Sequence, residues 1–473
     1  MPNPILNAIQ SLFPGLDFRG WTSSYDNAQQ SSRRGSIPGA PIRDARRDLT
    51  PSTRKELVRR ARYLARNSGF VRELVANMAT YSIGDGIRAQ AQSQDADWNA
   101  RAERYFRDWS SRCEVTGRFS WEEVQHLVCR AIDVDGEIFV LKTRDRYGLP
   151  SLQLVETHRV GGEEYGTDAI DGIIMDRFGA PAAYRVVEDV GYRDVPANSL
   201  CHIYEPEAAS AIRCAPVIQH SINHVVDEME LLALEKHAVK DNCDITRILK
   251  ADAALDEGTD FAFVDSSEQI SSSDPASLQQ ITGGKVVALK PHESLESFQP
   301  SRPSPTFTGF LEHLRRDTAL GVLPYEFAAD PSKVGGASTR LVIAKADRRF
   351  QQRQNAIINR LIKPIWFYVI GDAISNGQLP ATADWWRISA VTPRRVTADA
   401  GREAQANRED VIVGLKTLSD HYEELGADFS EELRRRARDM RLVLDVAAEF
   451  GVPAGLLWQP ATPPPMPALP LPG

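Results

Sequence analysis

The sequence predicts an α+β protein built in several parts, and three observations carry that prediction. Between residues 50 and 205 helical and strand periods occur in blocks, helices first and strands after, rather than in strict alternation. Helical stretches with an apolar stripe then bracket an acidic, strand-rich insertion over residues 244 to 300. Glycine, proline and aspartate clusters mark each change of period. At 473 residues, 25% charged and 42% hydrophobic, the chain can bury several cores without metals or disulfides.

The first 45 residues hold Gly, Pro, Ser and Gln with scattered Arg and no sustained hydrophobic period, which predicts an extended arm. Thr50-Pro51 supplies an N-cap and a proline at the first helical position, and Leu57, Ala61, Leu64 and Ala65 recur at helical spacing up to Ser68-Gly69. A second helix is expected over Phe70 to Tyr81, ending at Gly84. Two more are expected over residues 95 to 111 and 120 to 134, the latter opened by a capping box of Ser120 and Glu123. Strands follow over Glu137 to Arg144, Ser151 to Thr157, Gly172 to Asp176 and Ala182 to Glu188. The last two flank Phe178-Gly179-Ala180-Pro181, which reads as a hairpin turn.

From Ala215-Pro216 to Asn242 a long helix is expected, with Ile218, Ile222, Val225, Met229 and Leu232 on one stripe. Short apolar pieces such as Val286 to Leu289, separated by serine and glycine pairs, return the text to strands and loops. Thr308 to Leu320 is helical, and Leu323-Pro324-Tyr325 with the loop Asp330 to Gly336 interrupts it. Ser338 is expected to cap another long helix through Ile343, Phe350, Ile357, Leu361 and Ile365, kinked before Pro364. Two charged helices are expected at about 397 to 417 and 429 to 450. Seven of the last fourteen residues are proline, which makes an extended spacer.

Charge is segregated along the chain. The formal total is −8. Residues 33 to 72 nevertheless carry twelve Arg or Lys against three acids, and Lys333 to Lys363 eight against Asp347 alone. Residues 244 to 300 carry ten acids against four bases. A net-acidic body is not that of a generic nucleic-acid binder. The longest apolar run, Ile365 to Ile370, is too short to span a bilayer, so no membrane partner is expected. Cys113, Cys129, Cys201, Cys214 and Cys243 contain no C-x-x-C, and reduced thiols in a cytoplasmic compartment are expected.

Catalytic signals are weak. Ile281 to Val286 (Ile-Thr-Gly-Gly-Lys-Val) lacks the first glycine and the final hydroxyl that a phosphate-cradling loop needs. Gly84-Asp85-Gly86-Ile87-Arg88-Ala89 fits G-x-G-x-x-A but follows a helix where a dinucleotide turn must follow a strand, so a helix C-cap and turn is expected. His220, His224 and Glu228 lie one helical turn apart; a metal site is conceivable there, but a solvated or subunit-facing polar stripe is the expected reading. No G-x-S-x-G elbow occurs. No catalytic residue, cofactor or metal is expected.

The wording of several segments resembles the lambda-type portal family of tailed phages. They include Arg60 to Phe70, Asp135-Gly136-Glu137-Ile138-Phe139-Val140, Gly283 to Val286 leading to Leu295, and Gly321-Val322-Leu323-Pro324-Tyr325-Glu326 with Ser338-Thr339-Arg340 and Arg348-Arg349-Phe350. Arg402 to Asn407 and Gly414 to Ser419 continue the likeness, which covers about residues 45 to 450. The resemblance implies a portal fold assembling as a ring of twelve subunits at one capsid vertex. Its parts would be an arm over 1–45, a wing over 46–212, stem helices over 213–243 and 304–323, and a clip over 244–303. A tunnel loop and long kinked helix would occupy 324–398, a crown 399–450 and the tail 451–473.

It further implies packaging, head-tail joining and ejection of double-stranded DNA, with a terminase motor, the major capsid protein and a head-tail adaptor as partners. The virion would be the location, after assembly in the bacterial cytoplasm. Ser332, Lys333, Val334, Gly335 and Gly336 would form the channel-facing tunnel loop. Arg340, Lys345, Arg348, Arg349 and Arg353 are expected to face acidic stripes on a neighbouring subunit, because charge complementarity fixes register in rings. A nuclease and a capsid scaffold that never touches DNA are the alternatives.

Overall fold

A computed structural model describes residues 42–161, 169–244, 248–251, 279–281, 284–286, 293–296, 305–397, 400–425, 427 and 429–458. Most of the expected arm, the end of the proline-rich tail and all side chains from 241 to 306 lie outside the described residues. The helical block opens with α1 (Pro51–Asn67) and α2 (Gly69–Ile83). The Thr50 hydroxyl accepts from Thr53 N–H at 3.3 Å, and Ser68 both ends α1 and caps α2. Gly84 at φ +51° and Gly86 at φ +103° lead from α2 into β1 (Arg88–Ala91), so the G-x-G run is the expected helix C-cap and turn. α3 (Ala96–Ser110) and α4 (Trp121–Asp135) follow, and α4 carries both halves of its capping box at 3.3 and 2.8 Å.

β2 (Glu137–Arg144) is the centre of the molecule. It pairs antiparallel with β3 (Pro150–Val155) on one side and β7 (Leu200–Tyr204) on the other. Its residues alternate between two cores: Ile138 and Val140 join the helices, while Phe139 and Leu141 join a second sheet. A strand covered on both faces reads as an unbroken apolar run, as this one does. The second sheet is β4 (Ile173–Met175), β5 (Pro181–Val187) and β6 (Tyr192–Pro196), with the expected hairpin pairing Ile173 to Tyr184. β1, β6 and β7 were not expected from the sequence; each is short, and β1 finds its partner some 300 residues on.

The long helix expected from Ala215-Pro216 starts later, as α5 (Ile222–Asp244), after a tight turn at Gln219–Ser221. In the insertion, β8 (Ile248–Ala251) pairs with β11 (Glu293–Glu296), and β9 (Gln279–Ile281) with β10 (Gly284–Val286). Gly284-Lys285-Val286 is therefore a strand, not the mouth of a phosphate-binding helix. α6 (Pro305–Leu320) returns alongside α5.

α7 (Gly336–Ile357) begins two residues before the expected cap Ser338. It runs through a π turn, Ile358–Ile362, into α8 (Lys363–Ser375). That turn replaces the expected kink: Pro364 has no N–H for the carbonyl of Arg360, and widening the preceding turn, with Lys363 N–H bonded to Ile358 O, absorbs the loss. Ile357, Leu361, Ile362, Ile365, Trp366, Val369 and Ile370 are fully buried in the helical core, where Trp366 meets Phe106 at 5.2 Å. β12 (Ile388–Val391) closes on β1. After Pro393 the described residues form three helices over the stretch where two were expected, α9 (Ala400–Ile412), α10 (Leu418–Glu424) and α11 (Phe429–Phe450), with one further short turn of helix at Ala454–Leu457. Gly414 at φ +77° ends the first, and Thr417 Oγ1 accepts from Asp420 N–H at 3.1 Å to start the second.

Candidate functional site

The helix pair α5 and α6 is joined by a polar seam. His224 Nδ1 lies 2.9 Å from Asp317 Oδ2, and Arg315 Nε donates to Glu228 Oε1 at 2.6 Å, with Glu228 only 5% exposed. His220 lies 3.3 Å from the Asp317 carbonyl. The polar column seen in the sequence thus bonds to a helix of its own chain, with Glu228 buried, His224 half-exposed and His220 exposed to solvent. Among the described residues no group of His, Cys, Asp and Glu could hold a metal ion. At the end of α6, a Cβ on Gly321 would come within 2.7 Å of the exposed His220 ring, which would have to turn away from the Asp317 carbonyl.

The Leu-Pro-Tyr-Glu run is fixed by Arg316. Its guanidinium lies 4.7 Å over Tyr325 and pairs with both Glu312 and Glu326, while Tyr325 packs 6.1 Å from Phe70. The chain next enters the loop Asp330 to Gly336. Asp330 Oδ1 accepts from Ser332 N–H at 2.9 Å and from the Ser332 hydroxyl at 2.5 Å, and Thr339 donates to the Val334 carbonyl at 3.2 Å. Both ends are therefore tied while Ser332, Gly335 and Gly336 are exposed. Gly336 sits at φ +33° with open space around it, a backbone state that glycine adopts without strain. The Lys333 side chain lies outside the described residues.

The five basic residues of α7 separate. Arg340, Lys345 and Arg348 are exposed. Arg353 is not: it is fully buried, donating to Asp133 and Glu205 at 2.7 Å each and to the Cys129 carbonyl at 3.1 Å. Arg349, 19% exposed, donates to the other oxygen of Glu205 at 2.7 Å. For Arg353 the expectation of facing a neighbour is corrected, because it is fully buried on carboxylates of its own chain; Arg349 shares Glu205 with it and keeps a partly exposed edge. Burial raises the Asp133 carboxyl above its usual range against the pull of Arg353, whereas both arginines together outweigh burial at Glu205 and lower it.

A second buried charge cluster joins α1, β2, β7 and the approach to α5. Arg213 Nε donates to Glu137 Oε1 at 2.6 Å, Thr157 donates to the same oxygen at 2.7 Å, and His202 Nε2 lies 2.9 Å from Glu137 Oε2. Arg54 completes it with two bonds to Asp171 at 2.6 and 2.8 Å. Burial would raise the Glu137 carboxyl, but Arg213 and His202 overcome it and hold it well below the usual range. Burial lowers His202 despite its contact with Glu137. Sequence reading missed this cluster. Arg54 recurs with Val58 and Ala61 at helical spacing on the apolar face of α1, and Glu137 sits beside an apolar strand run; these were the available signals.

Three of the buried cysteines among the described residues are poor nucleophiles. Burial pushes the Cys113, Cys129 and Cys214 thiols up to about 12, where thiolate is negligible at neutral pH. A cleft of about 840 Å³ between α3 and α11 has arginines and carboxylates on its walls and neither histidine nor cysteine. No helix among the described residues is long and apolar enough to cross a membrane.

A helix pair, a tied glycine loop and a long π-turned helix are set on a two-sheet core with two clusters of buried, internally paired charges. Residues 31–354 match the family described as phage portal protein, lambda family, and the chain belongs to that family. The portal role it carries is favoured over the nuclease and DNA-free scaffold. Two solved structures share the fold at 13% identity. They are the neck of an empty GTA particle computed with C6 symmetry (TM-score 0.52, 79% of this chain, 93% of that one) and the neck of a native GTA particle computed with C12 symmetry (TM-score 0.52, 81% and 95%). No curated protein matches the chain.

Proposed function

We propose that twelve copies of this chain close into a ring at one capsid vertex and form the conduit through which double-stranded DNA is packaged and later ejected. Membership of the portal family carries the reading, and the fold shared with a neck assembly computed with C12 symmetry supports it. The ring would reside in the virion after assembly in the host cytoplasm. It would bind the packaging terminase, the major capsid protein and a head-tail adaptor, and would itself catalyse nothing. In this reading residues 46–212 are the wing, 213–243 and 304–323 the stem, 244–303 the clip and 399–450 the crown. Residues 324–398 hold the tunnel loop and the long helix. A conduit must let a duplex slide, and each phosphate neutralised by Lys or Arg adds affinity that opposes sliding, so a net charge of −8 suits it.

The loop Ser332 to Gly336, exposed but tied at both ends, is the element of this reading that meets DNA. The test is a deletion of Ser332 to Gly336 in particles. Rings of unchanged mass with lowered DNA retention are expected; unchanged packaging and retention would overturn the loop's role, and a monomeric wild-type protein would overturn the ring.

A further inference from the structure

Once α5 and α6 have paired within the chain, one acidic stripe on α5 is left over. Asp227 and Glu230 are exposed, and Leu234 is 66% exposed. Among the described residues neither acid makes an ion pair; the seam uses Glu228 and His224. On the first half of α7 a stripe of opposite sign is left over: Leu341 is 59% exposed, and Lys345 and Arg348 are exposed without an ion pair among the described residues. Lys345 reaches only the field of Glu326, already bound by Arg316, and Arg348 spends one N–H on Gln351 at 3.2 Å.

The two stripes match in spacing as well as sign. From Leu341 the steps to Lys345 and Arg348 are four and three residues; back from Leu234 to Glu230 and Asp227 they are also four and three. At 1.5 Å rise per residue each patch is about 10 Å long. We infer that in the ring α7 of one copy packs antiparallel on α5 of the next, with Leu341 on Leu234, Lys345 on Glu230 and Arg348 on Asp227. This contact rests on the ring reading above and names the acidic stripe that the basic residues meet. A parallel alignment would place each leucine against a charge, so the leucines decide the direction. Because the patches lie on different elements, the contact is head-to-tail, the type that closes rings. The charges set register and exclude wrong pairings, and the leucine pair adds apolar burial. A DNA backbone would satisfy Lys345 and Arg348 but leave Leu341 without a partner.

The full-length protein carrying Leu234→Cys and Leu341→Cys should, on mild oxidation, give a covalent ladder from dimer upward, while either single cysteine gives no such ladder. Lys345→Glu with Arg348→Glu should raise the concentration needed for half-assembly by about tenfold or more. Asp227→Lys with Glu230→Lys should do the same, and the four changes together should restore assembly to within about threefold of wild type. Wild-type rings that neither cross-link nor respond to either reversal would overturn the contact and leave the ring reading intact. Rings unchanged by Lys345→Glu with Arg348→Glu but poorer in DNA retention would assign the stripe to DNA and overturn it as well. A wild-type monomer would overturn both.

Discussion

Arg353 and Lys345 lie two turns apart on one helix and meet opposite fates. Buried Arg353 pairs with Asp133 and Glu205 at 2.7 Å, so Arg353→Ala would strand the Asp133 carboxylate away from water and leave Glu205 to Arg349 alone. It should cost about 3–5 kcal/mol in urea unfolding at fixed subunit concentration, against about 0.5 kcal/mol or less for Lys345→Ala in the unassembled subunit. His202 gives a second residue-scale expectation. Its folded-state affinity for a proton is lowered by burial, so below about pH 6.5 the unfolded chain binds a proton that the folded chain refuses. Stability should fall as pH drops from 6.5, by at most about 1.4 kcal/mol per pH unit for that one group, and His202→Gln should flatten the slope. Glu137, whose proton affinity is also lowered, adds to the acid loss below its ordinary range, while Asp133, raised by burial, opposes it. A slope unaffected by His202→Gln would mean that the ring is charged in the fold.

Where elements join, a few glycines and charges decide the geometry. Gly136 ends α4 at φ +85°, and a Cβ there would lie 2.5 Å from the Ala215 carbonyl. Gly136→Ala should therefore destabilise by more than the about 1 kcal/mol of an ordinary glycine substitution, measured by thermal melting. The α5–α6 seam can be tested by a double-mutant cycle on Glu228 and Arg315. Arg315→Ala leaves a buried carboxylate and should cost more than the half-exposed arginine's own contacts, and Glu228→Gln should recover part of the loss. The helices of this region were legible because caps and periods are local: Thr50-Pro51, the Ser120 box and the hairpin around Gly179 all stand where their residues place them. The π turn was not, because a proline announces only that a hydrogen bond is missing. Whether the helix bends or widens depends on how tightly Leu361, Ile362 and Ile365 are packed.

For the whole molecule, family membership places the chain among portals, and assembly is the property to measure. Native mass of the purified protein should give a single closed oligomer near twelve subunits, stable to dilution at low salt and less so at high salt if exposed charges set register. Isolated subunits that persist at high concentration would contradict it. Leu433 and Leu444 on α11 are 54% and 53% exposed, on a helix whose one buried residue is Ala447.

By itself the sequence determined the α+β class, most helix starts, the hairpin around Gly179, the acidic insertion and the family, because these rest on periodicity, capping and wording within short windows. Only the tertiary structure decided which charges are interior. Arg349 and Arg353 share a basic run with Lys345 and Arg348, and nothing local tells them apart. Their roles depend on Asp133 and Glu205, brought from more than 140 residues away, where low dielectric makes pairing obligatory. The short strands β1 and β7 were decided the same way, by partners that distant backbone supplied rather than by propensity of their own.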